Sequence, residues 1–497
     1  MKFRSYFSFG SRLAALVALS LILFVSTPLH SASAQNKDAA DRVAWTAREQ
    51  GQEILKALKE DIKKNYYDPN FHGMDLEARF KSAQEKIKTA APTQIYSIIA
   101  QVLVELDDSH TYFLPPDRLI RVDYGWRMQM IGDSCFVIAV KPGSDAAAKG
   151  LKVGDKIYSI DGYEPTRENL WKIEYSYYTL KPRGGMRVVI EEPNGQLRQV
   201  DLLIKAMLFG MELTAEGFRK ESKEERETRE KKEKEKKDKK ERKERDIRAD
   251  ELPSYHELSK ELLICRLPEF SISEKEVDQM MKRVAPYQAL ILDLRGNPGG
   301  YVKSLRRFVG YFFDHDLKIA DSKYRKDLKP VMAKTRKERV FTGRLVVLVD
   351  GKSASAAEAF ARLIQLEKRG TVIGDRTSGK VMQAVWFSHV FDQHSVMNGY
   401  ILISPWTVYG ASVTNADIIM SDGKSIEHVG VTPDELLLPT GPDLAAGRDP
   451  ILARAAVLLG VQLDAKQAGA IFPRQNSTEV VMDDPDKQVD EDDNEEN

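Results

Sequence analysis

The chain has 497 residues, of which 42% are hydrophobic, and its 75 Lys and Arg residues balance its 75 Asp and Glu residues. This length predicts roughly two to four domains with cores of their own. A net charge of zero provides no overall field that would favour nucleic acid or an acidic substrate. Cys, His and carboxylate residues nowhere follow the spacing of metal ligands, so no metal site is expected.

The N-terminus resembles an export signal. Basic residues between Lys2 and Arg12 precede an uncharged apolar run at residues 13–25, and Ala32-Ser33-Ala34 is typical of a cleavage site. The apolar run is shorter than the roughly 20 residues that a spanning helix needs. We therefore predict a signal peptide over residues 1–34 and a periplasmic or extracellular protein. The alternative is an uncleaved signal that anchors the protein, which is the only membrane contact expected.

The next segment has helical periodicity. Apolar residues recur three and four positions apart over residues 41–89, a second helical run covers residues 93–106, and a polar turn follows at residues 107–111. The repeating positions are Ile54, Leu55, Leu58, Ile62 and Tyr66. This pattern predicts an N-terminal helical domain over residues 41–120 that caps another part of the molecule.

Short β runs replace the helical pattern from about residue 122. Gly-Asp and Asp-Gly pairs mark tight turns, and residues 186–192 and 197–204 form a predicted closing hairpin. We therefore expect a small β-domain over residues 121–205. Cys135 and Cys265, the two cysteines of the chain, lie in apolar strand-like runs and are predicted to be buried and unpaired.

A highly charged segment follows the β-domain. Residues 219–248 contain 16 Lys or Arg and 11 Asp or Glu, a local net charge of +5. Opposite charges three and four apart favour a solvated helix, and the segment has no apolar seam for a coiled coil. Its mixed signs argue against a nucleic-acid arm. We predict a helical or disordered spacer over residues 206–252 and no nucleic-acid partner.

The remainder of the chain alternates strands and helices. Apolar strand cores at residues 289–294, 345–349 and 371–373 are separated by helical runs. These runs cover residues 274–284, 302–313 and 356–366. The alternation predicts an α/β domain over residues 253–440. A helical segment at residues 441–476 and an acidic, disordered tail at residues 477–497 complete the predicted organisation.

Ser355 occupies a position suited to nucleophilic chemistry. A strand ends at residue 349, a Gly turn follows, and a helix of small residues begins directly after Ser355. A hydroxyl at the positive end of a helix is placed where an alkoxide or oxyanion is favoured. Ser355 and Glu358 also fit the Ser-x-x-Glu capping box, which is a purely structural alternative.

Two further motifs supply the other groups of an acyl transfer. The strand that ends at Asp293 leads through Asn297-Pro298 into Gly299-Gly300, a turn that exposes backbone N–H groups able to stabilise an oxyanion. An ordinary Pro-Gly turn is the alternative. Residues 374–380 match the phosphate-loop spacing, but Val381 replaces the metal-binding Ser or Thr and a strand follows. Lys380 can instead act as a general base in a desolvated site, or can be a surface lysine of a loop.

The order of these motifs resembles the C-terminal processing (tail-specific) serine peptidase family with an inserted PDZ domain. Residues 107–111, 150–162 and 426–434 resemble the family's N-terminal domain, its PDZ domain and its closing strand, and the resemblance spans about residues 41–439. It implies an α/β (α+β) fold with a crotonase/ClpP-like peptidase core, an N-terminal helical cap and an inserted PDZ β-domain.

The resemblance also implies residue roles. The second Ser of Ser-Ala-Ser-Ala, Ser355, would be the nucleophile of a serine endopeptidase, and Lys380, 25 positions later, its general base. Gln383 would orient the lysine, although the family has its Gln four positions after the Lys and a Gly where Val381 stands. The N–H of Ala356 and that of Gly299 or Gly300 would form the oxyanion hole. No metal or organic cofactor is needed.

Substrates would be proteins or peptides recognised by their C-terminal tails. The resemblance places the carboxylate-binding loop of the PDZ domain at Gly125, Trp126, Arg127 and Met128, a poor match to the family pattern. Two alternatives remain open. The related tricorn-like peptidases use Ser, His and Glu, which would correspond to Ser355, His110 and Glu427, with His110 otherwise a packing residue. A catalytically inactive PDZ scaffold is the other. The oligomeric state is also open, a homo-oligomer included.

Overall fold

The computed structural model describes residues 29–116, 120–180, 183–192, 195–203, 205–208, 211–212, 252–390 and 408–472. The predicted signal peptide up to residue 28, the charged spacer from residue 213 to 251 and the acidic tail at residues 477–497 lie outside this range. Within the described residues, no helix is both long enough and apolar enough to cross a bilayer.

The N-terminal region is a helical cap. Its elements are α1 (Leu29–Asn65), α2 (Leu76–Thr89), α3 (Ile95–Val104) and the short strand β1 (Tyr112–Leu114). The prediction of continuous helix over residues 41–89 is wrong at residues 66–75, where the chain turns with positive φ at Phe71 and His72 and re-enters a helix at the N-cap Asp75. The predicted apolar positions of α1 are fully buried. They share one core with Ala411 and Val413 of a distant strand, so the cap packs directly on the rest of the molecule.

The second region is the β-domain. Its strands are β2 (Ile120–Asp123), β3 (Trp126–Ile131), β4 (Ser134–Val140), β5 (Lys156–Ile160), β6 (Gly185–Glu191), β7 (Leu197–Leu203), β8 (Lys205–Leu208) and β9 (Met211–Glu212), and its helices are α4 (Asp145–Ala148) and α5 (Leu170–Glu174). Strands β3 to β7 form one antiparallel sheet in chain order, with β3 at its edge. Burial alternates along β4, so one face of the sheet forms the core. Cys135 lies in that core as a free thiol, as predicted, and Cys265 is likewise buried and free.

The third region contains two sheets. Its strands are β10 (Ser254–Glu257), β11 (Leu262–Arg266), β12 (Ala289–Asp293), β13 (Leu317–Tyr324), β14 (Leu328–Ala333), β15 (Arg344–Val349), β16 (Thr371–Gly374), β17 (Gln383–Val390), β18 (Val408–Met420) and β19 (Glu435–Leu436), and its helices are α6 (Glu274–Val284), α7 (Val302–Val309) and α8 (Ala356–Leu366). The first sheet has the order β10-β11-β12-β15-β16-β19 and is parallel from β11 onward. It is covered on both faces, which explains the continuous apolar runs of its strands.

The second sheet was not predicted. It is antiparallel, with the order β1-β18-β13-β14 and with β17 paired to β18. Three other predictions need correction. The helix expected at residues 302–313 ends at Val309, where Gly310 is the C-cap. The closing strand expected at residues 426–434 is instead the two-residue β19. The strand expected from Val381 begins at Gln383.

The chain then returns to the parallel sheet. The predicted C-terminal helical segment contains α9 (Gly441–Ala445), α10 (Pro450–Leu458) and α11 (Ala465–Ile471). Side chains of α10 and α11 pack on one face of β11, β12 and β15, while α6 and α8 pack on the other. The parallel sheet is therefore enclosed, and its carboxyl-terminal edge is where turns with functional side chains can gather.

Candidate active site

The three candidate motifs meet at one edge of the parallel sheet. β12, β15 and β16 are neighbouring parallel strands, so their carboxyl ends lie side by side. The segments that follow them carry Gly299, Ser355 and Lys380 respectively. Ala354 N–H donates to Asn297 O at 2.9 Å, and Ser355 N–H donates to Lys380 O at 2.7 Å. Backbone hydrogen bonds therefore join all three segments around Ser355.

Ser355 has a strained backbone at the junction of turn and helix. Its φ of 52° and ψ of −118° lie in a region that residues other than glycine rarely adopt. The residue is the N-cap of α8, but its hydroxyl makes no cap hydrogen bond. A nucleophile on a sharp strand-to-helix turn has the same local form in other hydrolases. The hydroxyl is thus available for chemistry rather than used for capping.

The Gly299-Gly300 turn lies against Ser355. Gly299 has a φ of 105°, and a Cβ placed on it would lie 2.5 Å from Ser355 Cβ and 3.0 Å from Ser355 Oγ. Only glycine fits there. Gly299 N–H donates to Asn297 Oδ1 at 2.8 Å, whereas the N–H groups of Gly300 and Ala356 have no acceptor among the described residues. The two free amides are therefore the candidates for an oxyanion hole.

Asp350 holds the oxyanion turn and the nucleophile turn together. Its Oδ1 accepts the N–H of Gly296 at 2.9 Å, that of Lys352 at 3.0 Å and that of Ser353 at 3.1 Å. Its Oδ2 accepts Gln129 Nε2 of the β-domain at 2.8 Å. One carboxylate thus fixes two catalytic turns and touches β3 at the same time.

Lys380 is close to Ser355 through its backbone, but its amine is engaged elsewhere. Lys380 Nζ lies 5.6 Å from the ring centre of Trp171 on α5, an arrangement typical of a cation–π contact. Among the described residues, no hydrogen bond joins Lys380 Nζ to Ser355 Oγ. Gln383, expected to orient the lysine, accepts a hydrogen bond from the Tyr324 hydroxyl at 3.3 Å instead.

Glu358 accepts more hydrogen bonds than a capping box requires. The residue is fully buried. It accepts Thr377 Oγ1 at 2.5 Å, Gly379 N–H at 2.7 Å, Lys380 N–H at 2.9 Å and Ser355 N–H at 3.1 Å. Burial raises the pKa of Glu358 to about 7, and these hydrogen bonds oppose that rise. Glu358 therefore clamps the lysine loop to the nucleophile turn.

Glu427 links the helical cap to the lysine loop. Its Oε1 accepts Ser109 N–H at 2.8 Å and its Oε2 accepts Val381 N–H at 2.9 Å. The Nδ1 of His110 pairs with Ser109 Oγ at 2.7 Å. Among the described residues, no hydrogen bond links His110 to Glu427 or to Ser355. The structure thus gathers the residues of the tricorn-like alternative in one region without aligning them as a triad.

The β-domain docks on the catalytic segments through Arg167. Arg167 Nη2 lies 2.7 Å from both carboxylate oxygens of Asp375, a buried residue just after β16, and Arg167 Nε donates to Gly132 O at 2.8 Å. The sequence offered no signal for this pair, since the partners are 208 positions apart. The candidate carboxylate-binding residues lie at the start of β3, where Gly125 has a φ of 72° and the side chains of Trp126 and Met128 are buried. Arg127 is only partly buried.

Two family comparisons match this architecture. The profile of peptidase family S41 matches residues 261–437, which include Ser355 and Lys380, and a PDZ domain profile matches residues 120–170. The peptidase region of this chain, residues 261–437, is similar to peptidase family S41. The predicted family, the peptidase activity and the α/β core with a PDZ domain are thereby confirmed.

The chain is similar to known processing proteases. It is 23% identical over 430 residues to the carboxy-terminal processing protease CtpA of Bacillus subtilis, covering 85% of this chain and 74% of that protein. It is 24% identical over 402 residues to a chloroplastic C-terminal processing peptidase of Tetradesmus obliquus, covering 76% and 75%. The crystal structure of mature CPAF superposes with a TM-score of 0.56 at 15% identity, covering 80% of this chain and 94% of CPAF, which is a likeness of fold.

Proposed function

We propose that this protein is an exported endopeptidase that binds the C-terminal tails of proteins with its PDZ domain and cleaves them with a Ser355–Lys380 dyad. The observation that carries the proposal is the position of Ser355. Its strained backbone lies against the Gly299 turn on one side, and on the other side its N–H donates a hydrogen bond to the Lys380 carbonyl oxygen. Strained backbone of this kind concentrates at active sites, where it is part of the mechanism.

The chemistry would proceed through an acyl-enzyme. Neutral Lys380 takes the proton of the Ser355 hydroxyl as the oxygen attacks a backbone carbonyl, and the protonated amine then gives that proton to the leaving amine. The N–H groups of Ala356 and Gly300 stabilise the oxyanion. The same amine then takes a proton from a water molecule as the water attacks the ester, and returns it to the Ser355 oxygen as the acyl bond breaks and the new C-terminus is released. Gln383 is less favoured as a partner of the lysine, because its side-chain oxygen already accepts a hydrogen bond from the Tyr324 hydroxyl.

The dyad requires a movement of the lysine side chain. Lys380 Nζ must leave the ring of Trp171 to reach the Ser355 hydroxyl. Trp171 belongs to α5 of the PDZ domain, so the position of that domain would control whether the base is available. Docking through Arg167 and Asp375 supports a resting state in which the PDZ domain restrains the amine.

Tail recognition would occur at the edge of the PDZ sheet. β3 has a neighbour on one side only within its five-stranded sheet, so an extended peptide can add to its free edge. Gly125, which directly precedes that strand, and Trp126, Arg127 and Met128, which begin it, would receive the terminal carboxylate. Export is proposed from the N-terminal pattern of residues 1–34, with a retained anchor as the alternative.

Active-site variants test the mechanism. We expect wild type to cleave unfolded casein and to react with a covalent serine probe, and Ser355→Ala to lose both activities. Lys380→Ala should lose cleavage, whereas His110→Ala should keep most of it. Mass spectrometry of the products gives the cleavage sites.

Each variant has an outcome that contradicts the proposal. Full activity of Lys380→Ala would exclude the dyad, and if His110→Ala and Glu427→Ala were then inactive, the triad would replace it. Absence of labelling and cleavage in the wild type would favour the inactive PDZ scaffold. Cleavage that does not depend on the C-terminal residues of the substrate would remove tail recognition alone.

A further inference from the structure

Arg295 is a side-chain anchor shortly before the oxyanion turn. It lies two residues after the end of β12 and precedes Gly296, with Gly299 and Gly300 a few residues further. Its guanidinium is largely buried, with 19% of the side chain exposed. Arg295 Nε donates to Asp293 Oδ1 and Nη2 to Asp293 Oδ2, both at 2.8 Å. The arginine is thus fixed on one side by the strand from which it emerges.

Asp449 fixes the other side of the guanidinium. Arg295 Nη1 donates to Asp449 Oδ1 at 2.9 Å and Nη2 to Asp449 Oδ2 at 2.8 Å, a two-pronged pair. Asp449 is also the N-cap of α10, where Oδ1 accepts Leu452 N–H at 3.0 Å, and its own N–H donates to Ala465 O at 2.7 Å. It lies beyond residues 261–437, the part that the S41 profile matches.

The charges around Arg295 make Asp449 costly to lose. Burial alone would lower the pKa of Arg295, but the charges of Asp293 and Asp449 raise it overall. Removing one partner of a buried ion pair leaves the remaining charge under-compensated, which costs more than the pair itself contributes. Without Asp449, the guanidinium would keep Asp293 and seek water or another acceptor. The backbone at residue 295 would then lose its tie to the C-terminal helices.

We propose that Asp449 is a positioning residue for catalysis. It holds Arg295, and Arg295 in turn fixes the position of the turn whose Gly300 N–H donates to the oxyanion. The inference rests on the proposed function. The start of the turn is held by Asp350 at Gly296 and by the Asp449–Arg295 pair one residue earlier, and Asn297 fixes its later part through Leu267 O. An oxyanion donor acts only within a few tenths of an ångström of its ideal place, so weakening either anchor reduces transition-state stabilisation. The C-terminal segment is thereby part of the catalytic apparatus.

The test compares the same substitution at two helix N-caps. Asp449→Asn keeps a good N-cap but loses the charge and one of the two acceptors for Arg295. Asp464→Asn makes the same change at the N-cap of α11, where the carboxylate accepts only backbone N–H groups. We expect kcat of Asp449→Asn to fall about 10-fold to 100-fold, less than for outright loss of an oxyanion donor, with KM unchanged. Asp464→Asn should leave both constants within about twofold of wild type, since a cap is retained.

A second readout separates positioning from folding. A peptide boronate, which forms a tetrahedral adduct on a serine, should bind Asp449→Asn more weakly by the factor by which kcat falls, and thermal unfolding should show both Asn variants folded at the assay temperature. If Asp449→Asn proves unfolded, Asp449→Ser, which keeps a capping hydroxyl, replaces it with the same expected defect.

Three results would overturn the inference: an unchanged kcat for Asp449→Asn, equal losses in the two Asn variants, or a loss that tracks only the folded fraction. Ser355→Ala is measured in parallel. If that variant keeps its activity, the proposed function itself fails. If it is inactive while Asp449→Asn behaves like wild type, only the role of Asp449 fails.

Discussion

At the scale of single residues, Glu358 unites a structural and a chemical role. Its carboxylate accepts four hydrogen bonds from the two segments that carry Ser355 and Lys380. Only the ionised form can accept all four, because a proton on either oxygen turns that acceptor into a donor. Yet burial favours the neutral form and raises the pKa of Glu358 to about 7. The ionisation of one buried side chain therefore bears on the geometry of the whole site.

The pH dependence of this residue has a definite sign. The folded pKa of about 7 lies above the ordinary value of 4.5, so the folded protein binds one more proton than the unfolded chain between these values. The contribution of Glu358 to the free energy of unfolding therefore falls as pH rises from about 4.5 to 7. We expect kcat/KM to rise over the upper part of the same window as the clamp ionises.

Denaturant titrations and rate profiles across this window measure both effects. In Glu358→Gln the stability slope assigned to Glu358 should disappear, and activity should fall at every pH because an amide cannot accept four donors. A kcat/KM profile of the wild type that is flat from pH 5 to 8 would contradict the assignment.

At the scale of elements, the turn after β12 is shaped by the absence of side chains. Gly296 and Gly299 both have positive φ, but their surroundings differ. A Cβ on Gly296 would meet no atom within 4 Å, whereas one on Gly299 would lie 2.5 Å from Ser355 Cβ. Backbone strain is common to both positions, and a collision with the nucleophile is specific to one of them.

These two glycines make a matched pair of variants. We expect Gly299→Ala to lower kcat by more than about 100-fold, comparable to the loss of an oxyanion donor. Gly296→Ala should cost about 1 kcal/mol of stability and little activity, since it adds strain without a clash. Equal rates for the two variants, measured at equal folded fractions, would show that the close approach of Gly299 to Ser355 is unimportant.

The helices and strands also differ in how well the sequence predicts them. The bounds of α6 and α8 were predicted residue for residue, since each helix has an apolar stripe and a serine at its N-cap position. β13, β14 and β18 were missed, because their burial does not alternate regularly and because β13 and β14 also carry lysines. The helix predicted across residues 66–75 failed because the prediction followed the apolar periodicity and passed over local turn signals, Pro69 after Asp68 and Gly73 with its positive φ.

The candidate site was predictable to the extent that it is local. Ser355 and the Gly299 turn are read from residues adjacent in sequence. The position of the Lys380 amine depends on Trp171 in another domain, and the Asp350, Glu358 and Glu427 clamps depend on backbone N–H groups from distant segments. Side-chain acceptors for remote backbone donors leave no spacing pattern in the sequence. The domain limits predicted from composition stay predictions.

At the scale of the whole molecule, three of the contacts between the core and its neighbours lie beside the catalytic segments. The PDZ domain contacts it through Arg167 and Asp375 and through Gln129 and Asp350, and the helical cap contacts it through Ser109 and Glu427. Each contact ends on a residue next to a catalytic segment. Motion of either outer domain would therefore be transmitted to the catalytic segments.

Trp171 offers a direct test of this coupling. We expect Trp171→Ala to raise the rate of cleavage of a short peptide without a tail signal by about 3-fold to 10-fold, because releasing a cation–π contact of about 1 kcal/mol frees the Lys380 amine. Trp45→Ala, which removes a largely exposed indole from α1, is the control and should not change that rate. A lower rate for Trp171→Ala would mean that the indole positions the base rather than restrains it.

The docking of the PDZ domain limits how this peptidase can be re-engineered. A foreign recognition module grafted between residues 120 and 208 would supply a new peptide groove but would remove Gln129 from Asp350 and Arg167 from Asp375. Asp375 would then be a buried, uncompensated charge beside the lysine loop. A working chimaera would need an arginine at the position of Arg167 and an amide at that of Gln129, whatever tail sequence its groove selects.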